Sequence, residues 1–257
     1  MAEQISRWNL DAPLVIAHRG ASSIAPENTI PAIQAALEQG AHAVELDVKL
    51  SQDDVLFIHH DQTLDRTTDG SGRTSEWSWP ELARLDAGSH HSKQFKGTPI
   101  PRLDEIFELF GAQLLYNLEL TEYGRPLIEL AARTIRIVEK YELEECVLYS
   151  SFNPLELWRA ARRVGSSRVA LLMGAKTPML LRKFLRSSVP HCTYHPQDEL
   201  VTQELIANVK RRNKRFNVWT VNDVTRMRKL LKWGVDGIIT DVPASAVKLL
   251  NSGLIDE

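Results

Sequence analysis

Residues 43–48 read Ala-Val-Glu-Leu-Asp-Val, and the order of polar and apolar side chains in this AVELDV stretch bears most directly on the fold. Successive side chains of a β-strand point to opposite faces, so Glu45 and Asp47 share one side while Val44, Leu46 and Val48 share the other. Two carboxylates buried side by side repel each other and lose hydration, and without a compensating cation one of them would take up a proton. Both lie toward the carboxyl end of the strand, the end at which barrel enzymes carry their reactive groups. Three other apolar runs are interrupted in a related way: LVIA by His18-Arg19-Gly20, VLFIH by His60-Asp61, and LLYNLEL by Glu119.

Working outward, short apolar segments alternate with amphipathic helical ones. Strands are predicted at 14–18 (LVIAH), 43–48, 114–120 (LLYNLEL), 147–151 (VLYSS), 168–173 (RVALLM), 192–195 (CTYH), 216–221 (FNVWTV) and 237–241 (GIITD). Between them, NTIPAIQAALEQG has Asn28 or Thr29 to cap a helix, Pro31 early in it and Gly40 to stop it. NDVTRMRKLLKWG repeats that design with Asn222 or Asp223 as cap and Gly234 as stop. Eight strand–helix units in 257 residues predict an α/β fold, a TIM (β/α)8 barrel in one domain spanning 1–257; a doubly wound open sheet is the runner-up. VLFIHH reads as an extra extended segment after the second barrel strand. Asp61 to Arg102, rich in Asp, Thr, Gly, Ser and Trp, reads as a small insertion pinned by Trp77 and Trp79.

Composition excludes several classes. A hydrophobic content of 43% supports a substantial core, and a formal net charge of −2 gives no electrostatic case for nucleic acid or an anionic membrane. The run Lys210, Arg211, Arg212, Lys214 and Arg215 closes a helical segment, where cations complement the helix dipole. Cys146 and Cys192 lack CxxC spacing and read as two buried free thiols. The start MAEQISRWNLDAP lacks a basic-then-apolar leader, no run is long enough for stable membrane insertion, and no membrane-binding helix is evident. A cytoplasmic location and a small-molecule partner are expected, with the oligomeric state open.

The chemistry follows from the residue types. Glu45, Asp47 and Glu119 without a thiolate make a hard oxygen site, suited to a divalent metal such as Mg²⁺ or Ca²⁺. Arg19 offers a planar fork that matches phosphate, and His18 with His60 forms the pair that acid-base chemistry near neutral pH needs. His59 is expected to face away from His60 and His42 to lie on the opposite, stability face. His195 is expected to be structural or supporting, and Asp241 to orient neighbours.

In order along nearly the whole chain, HRG, PENT, the E-L-D strand, HHDQTLDRTTDGSG, GTPIPRLDE, NLEL, WTVND and GVDGIITDVP resemble the glycerophosphodiester phosphodiesterase family. The resemblance implies a TIM barrel with a small insertion, a divalent metal, and hydrolysis of glycerophosphodiesters to sn-glycerol 3-phosphate and an alcohol. It implies His18 and His60 as the acid-base pair, Arg19 as phosphate ligand, Glu45, Asp47 and Glu119 as metal ligands, and Trp219 as apolar wall near the substrate. The chain departs from the family pattern at Thr121, where members usually carry lysine, and this removes one point charge from the site. The first nucleophile is either water or the neighbouring glycerol hydroxyl, the latter through a cyclic phosphate. Competing readings are a lysophospholipase D-type phosphodiesterase and a catalytically silent barrel that binds phosphodiesters.

Overall fold

Strand β1, Leu14–His18, is where the sheet closes on itself. In this computed structural model, which describes residues 7–8, 12–121 and 130–252, β1 is followed by α1 (Ile30–Glu38), β2 (Ala43–Leu50), β3 (Leu56–Ile58), α2 (Trp79–Leu82), α3 (Leu103–Phe110) and β4 (Leu115–Leu120). The alternation then runs regularly through α4 (Leu130–Lys140), β5 (Val147–Ser151), α5 (Pro154–Val164), β6 (Val169–Met173), α6 (Met179–Ser188) and β7 (Thr193–Pro196). It ends with α7 (Gln203–Lys210), β8 (Arg215–Val218), α8 (Val224–Lys232), β9 (Gly237–Thr240) and α9 (Pro243–Asn251).

Strand β1 pairs in parallel with both β2 and β9, and the ladder β2–β4–β5–β6–β7–β8–β9 completes the ring. Eight parallel strands thus form a closed TIM barrel. Strand β3 runs antiparallel against the far end of β2, with Val48 opposite Ile58 and Leu50 opposite Leu56. This pairing is why β2 runs two residues beyond the predicted AVELDV stretch. At the other end of the ring, β8 stops at Val218 and β9 at Thr240, so Trp219 and Asp241 sit just past their strands instead of within them.

Outward-facing Val44, Leu46 and Val48 are buried together with Ile33 and Ala36 of α1, Ile106 and Phe107 of α3 and Leu130 and Ile135 of α4. Helix α1 comes so close to the turn after β1 that a Cβ on Gly20 would lie 2.6 Å from the Ala32 carbonyl carbon. With φ at +85° there as well, glycine is the residue that fits. The predicted stops hold: Gly40 and Gly234 take φ of +77° and +82° just past α1 and α8. Asp223 caps α8, its carboxylate accepting the Arg226 N–H at 2.7 Å. The expected cap of α1 does not form through a side chain. Thr29 holds the cap position, but its hydroxyl donates to the Pro26 carbonyl, and the Asn28 amide turns back toward Asp47.

The stretch from Asp61 to Arg102 packs Leu64, Leu82, Ala87 and Ile100 on Phe57 of β3, with Trp77 and Trp79 against the edge of this small second core. Among the described α-helices, α6 alone buries none of its residues. Cys146 is buried, but Cys192 is only partly so: it lies just before β7, at the amino ends of the strands, with its thiol on the Ser167 carbonyl. The basic run after α7 is partly spoken for: Lys210 pairs with Asp236 at 3.1 Å and the Lys214 amine lies 2.9 Å from the His191 ring. His42 precedes β2 and takes the Val15 N–H on Nδ1 at 3.0 Å, an interaction at the amino ends of the strands.

Candidate active site

Strand alternation points Glu45, Asp47 and Lys49 into the barrel, and register places Asp47 opposite Glu119 of β4. The ligand-capable oxygens of Glu45, Asp47 and Glu119 lie within 4.8 Å of one another. Burial raises Glu45 well above the ordinary carboxylate range, and Asp47 and Glu119 push it further; burial and Asp47 do the same to Glu119. One Glu45 oxygen accepts the Arg19 backbone N–H at 3.1 Å, whereas Oε1 is buried with no hydrogen-bond partner among the described residues. An orphaned carboxylate oxygen beside two further acids is a donor set that a hard divalent cation fits.

Around this cluster, a cavity of about 50 Å³ is lined by His18, Arg19, Glu45, His60, Asn117, Glu119, Phe152, Leu172, Trp219 and Ile239. A second cavity of about 330 Å³ shares His18 and Arg19 and reaches Ser22, Glu27, Asn222 and Asp241. Residues far apart in sequence, His18, Arg19, Glu45, His60, Glu119 and Trp219, therefore meet at one rim, with Asp47 beneath.

Each histidine leans on a carboxylate. The His18 Nδ1 lies 2.7 Å from Asp241 Oδ1, and the His60 Nδ1 lies 2.5 Å from Asp61 Oδ1. Burial alone would raise Asp241, but bonds from His18, Asn222 and Ser22 outweigh it and hold the carboxyl at about 2. Burial likewise opposes the Asp61 carboxylate, and Arg66 and His60 overcome it, keeping it far below its ordinary range. With Nδ1 engaged on both rings, Nε2 is the nitrogen each presents to the cavity side; that of His18 is 3.9 Å from Glu45.

Arg19 adopts φ of +58°, a conformation a non-glycine residue takes only under constraint. Burial works against its charge, yet Asp47, Glu27 and Glu45 keep it firmly protonated. Its Nη1 reaches Glu27 at 2.8 Å and its Nε lies 3.4 Å from Asp47. Arg66 ties the other Glu27 oxygen to Asp61 at 2.7 and 2.6 Å, so one chain of charges runs from Arg19 through Glu27 and Arg66 to the partner of His60.

Three supporting residues escape a reading of the sequence as strands and caps. Asn28, in the PENT motif, donates to Asp47 Oδ2 at 2.8 Å and accepts the Asp47 N–H at 3.3 Å. Glu27 is its neighbour in that motif. Lys49 continues the period-two face of Glu45 and Asp47, and its buried amine bonds the Thr121 carbonyl at 3.3 Å. A lysine is thus present where β2 and β4 meet, carried by β2 instead of by position 121. His59 is buried with its ring on the Thr63 carbonyl, whereas His60 lines the cavity. His195 is fully buried under Trp219, bonded to Asn217, and burial drops its pKa to about 3. The Trp219 indole donates to the His195 carbonyl at 2.8 Å and meets Phe152 edge-on at 5.5 Å.

Fold and site define a TIM-barrel hydrolase of the phosphodiesterase class. A profile of the glycerophosphoryl diester phosphodiesterase family matches residues 18–245, and the chain belongs to that family. It is 36% identical over 241 residues to the glycerophosphodiester phosphodiesterase of Caldanaerobacter subterraneus subsp. tengcongensis, covering 93% of this chain and 98% of the relative. It is 32% identical to one from Bacillus altitudinis, covering 91% and 97%. Among solved structures, a phosphodiesterase from Oleispira antarctica in complex with the product sn-glycerol-3-phosphate superposes with a TM-score of 0.84 at 30% identity, covering 93% and 97%. The glycerophosphodiester phosphodiesterase of Agrobacterium tumefaciens superposes with a TM-score of 0.75 at 29% identity, covering 91% and 98%.

Proposed function

We infer that the protein hydrolyses glycerophosphodiesters to sn-glycerol 3-phosphate and an alcohol, with a divalent metal, Mg²⁺ or Ca²⁺, held by Glu45, Asp47 and Glu119. The observation that carries this reading is the meeting of three acidic oxygens within 4.8 Å at a cavity that two carboxylate-backed histidines share. A divalent ion bound there supplies charge that offsets the acidic cluster and polarises a phosphoryl oxygen. Arg19 holds the phosphodiester in register and opposes the charge that develops on it. His18 and His60 divide the proton work: one takes a proton from the attacking hydroxyl or water through Nε2, the other gives one to the departing alkoxide. Asp241 and Asp61 fix the orientation of the two rings and stabilise whichever is protonated. Trp219 and Phe152 form an apolar wall that keeps water from the diester. A substrate lacking the vicinal hydroxyl decides the nucleophile, since unchanged turnover excludes the cyclic phosphate.

The same apolar wall keeps a lysophospholipase D-type activity as the second reading, and comparing glycerophosphocholine with lysophosphatidylcholine separates the two. The barrel is proposed to act as one domain, with 61–102 as its insertion and with no nucleic acid partner. Free thiols at Cys146 and Cys192 favour the cytoplasm.

The test is release of sn-glycerol 3-phosphate from glycerophosphocholine, with and without chelator, by the parent and by His60→Ala. Chelation should abolish turnover and the substitution should lower it by about 10² to 10⁴-fold. Circular dichroism matching the parent establishes that the variant is folded. Full turnover under chelation, or by a folded His60→Ala variant, overturns the reading.

A further inference from the structure

Helix α6 turns its large apolar residues to solvent. Leu180 is 77% exposed and Phe184 63%, one turn apart on a single face, with Met179 and Leu181 beside them. Leu185 packs against the barrel core, so the helix is docked and its outward face is genuinely bare. Helices α4, α5 and α8, by contrast, each bury at least three side chains. The neighbouring helix in the ring, α5, leaves Leu155 and Trp158 half exposed. This apolar surface leads to the catalytic cavity: Phe152, just before α5, lines that cavity, and Gly174, in the loop before α6, lies against the Phe152 ring.

Charge tells what covers it. From Leu157 to Gln197 the chain has eight Lys and Arg residues and no Asp or Glu, although its formal net charge is −2; of the eight, Arg159 and Arg168 are paired to Glu156 and Glu145 outside the stretch. Within α6 itself, Arg182, Lys183 and Arg186 make no ion pair among the described residues. They border a groove of about 240 Å³ between α6 and α7. Uncompensated cations framing an apolar ridge on a short amphipathic helix match an anionic lipid interface, where the apolar face enters the headgroup boundary and the cations meet lipid phosphates. A nucleic acid would use the cations and leave the ridge without a role. A second copy of the chain would bring the same uncompensated cations face to face.

We propose that α6, with the exposed edge of α5, docks the protein peripherally on anionic lipid bilayers, with the flank of the barrel against the membrane. At ten residues α6 lies along the surface and does not cross it. The inference is independent of which diester the cavity hydrolyses.

Flotation of the full chain with phosphatidylcholine vesicles, and with vesicles containing phosphatidylglycerol, tests it. Binding is expected to the anionic vesicles alone and to weaken by about 10-fold or more when salt is raised to about 0.5 M, as screening requires. Leu180→Glu with Phe184→Glu, and separately Arg182→Glu with Lys183→Glu, should each lower partitioning by about 10-fold or more. Turnover of water-soluble glycerophosphocholine should be unchanged in both, since none of these residues lines the cavity and all are at the surface. Failure to float with anionic vesicles overturns the proposal, as does equal binding to neutral ones. So does light scattering that finds a dimer which the Leu180/Phe184 variant converts to monomer, because the face is then covered by a second copy.

Discussion

Asp47 shows how much a single carboxylate depends on its neighbours. It sits almost without solvent beside Glu45, and what orients it is the amide of Asn28 gripping both its side chain and its backbone. Outer partners of this kind hold a ligand's lone pairs in place. Asn28→Ala should therefore weaken divalent metal binding by about 10 to 100-fold, measured by calorimetric titration, with the fold retained. An unchanged affinity would mean the amide only closes a turn. Asp241→Asn should lower kcat by about 10²-fold while leaving KM for glycerophosphocholine nearly unchanged, because the His18 ring loses its orienting carboxylate but the diester loses no contact. The pairing of Glu45 with Asp47 was legible in the strand period. Asn28 was not, because an Asn ahead of a helix ordinarily caps it; here φ of +58° at Asn28 aims the amide away from α1 and into the barrel mouth.

At the scale of elements, β2 and the stretch after β3 bring distant charges together. Arg66 joins Glu27, in the turn before α1, to Asp61 beside His60. Burial opposes the Glu27 carboxylate, yet Arg66 and Arg19 hold it at about 2. Its folded-state pKa lies below the ordinary 4.5, so its contribution to stability is fully present above that value and is lost as pH falls toward 2. Thermal unfolding followed from pH 5 to pH 2 should therefore show a steeper acid loss for the parent than for Glu27→Gln, and parallel curves would remove this link. Lys49 bears on the missing lysine at position 121. Its amine already lies 3.3 Å from the Thr121 carbonyl, so Thr121→Lys should bring two buried ammonium groups together. Stability should fall by about 1–3 kcal/mol with no gain in rate, read by denaturant unfolding and by turnover. A faster Thr121→Lys enzyme would show that the charge is needed there after all. The ends of β8 and β9 were harder to see in the sequence than the strands themselves. WTV and the final Asp continue the apolar or extended pattern, while β8 ends at Val218 with Trp219 held past it by a single bridge to Gln197 and by its indole on the His195 carbonyl, and Asp241 past β9 turns onto His18.

Across the whole molecule, the eightfold alternation was readable because most of the parallel strands are short, largely apolar runs buried by helices, with Glu45, Asp47 and Glu119 toward the active ends of β2 and β4. What a one-dimensional pattern hides is which helices stay uncovered. Leu180, Leu181 and Phe184 look like any core-facing set until α6 is placed with only Leu185 inward. The barrel brings acids, imidazoles and one arginine to a common mouth, and in that arrangement burial and mutual repulsion raise Glu45 and Glu119 well above the ordinary carboxylate range, a cost that a bound cation would offset. The most direct measurement is anomalous X-ray scattering from crystals grown with Mn²⁺ and sn-glycerol 3-phosphate. The account predicts an anomalous peak ligated by Glu45, Asp47 and Glu119, with the phosphate on Arg19. A bare carboxylate trio in crystals whose enzyme is fully active, with Mn²⁺ bound elsewhere or nowhere, would contradict it.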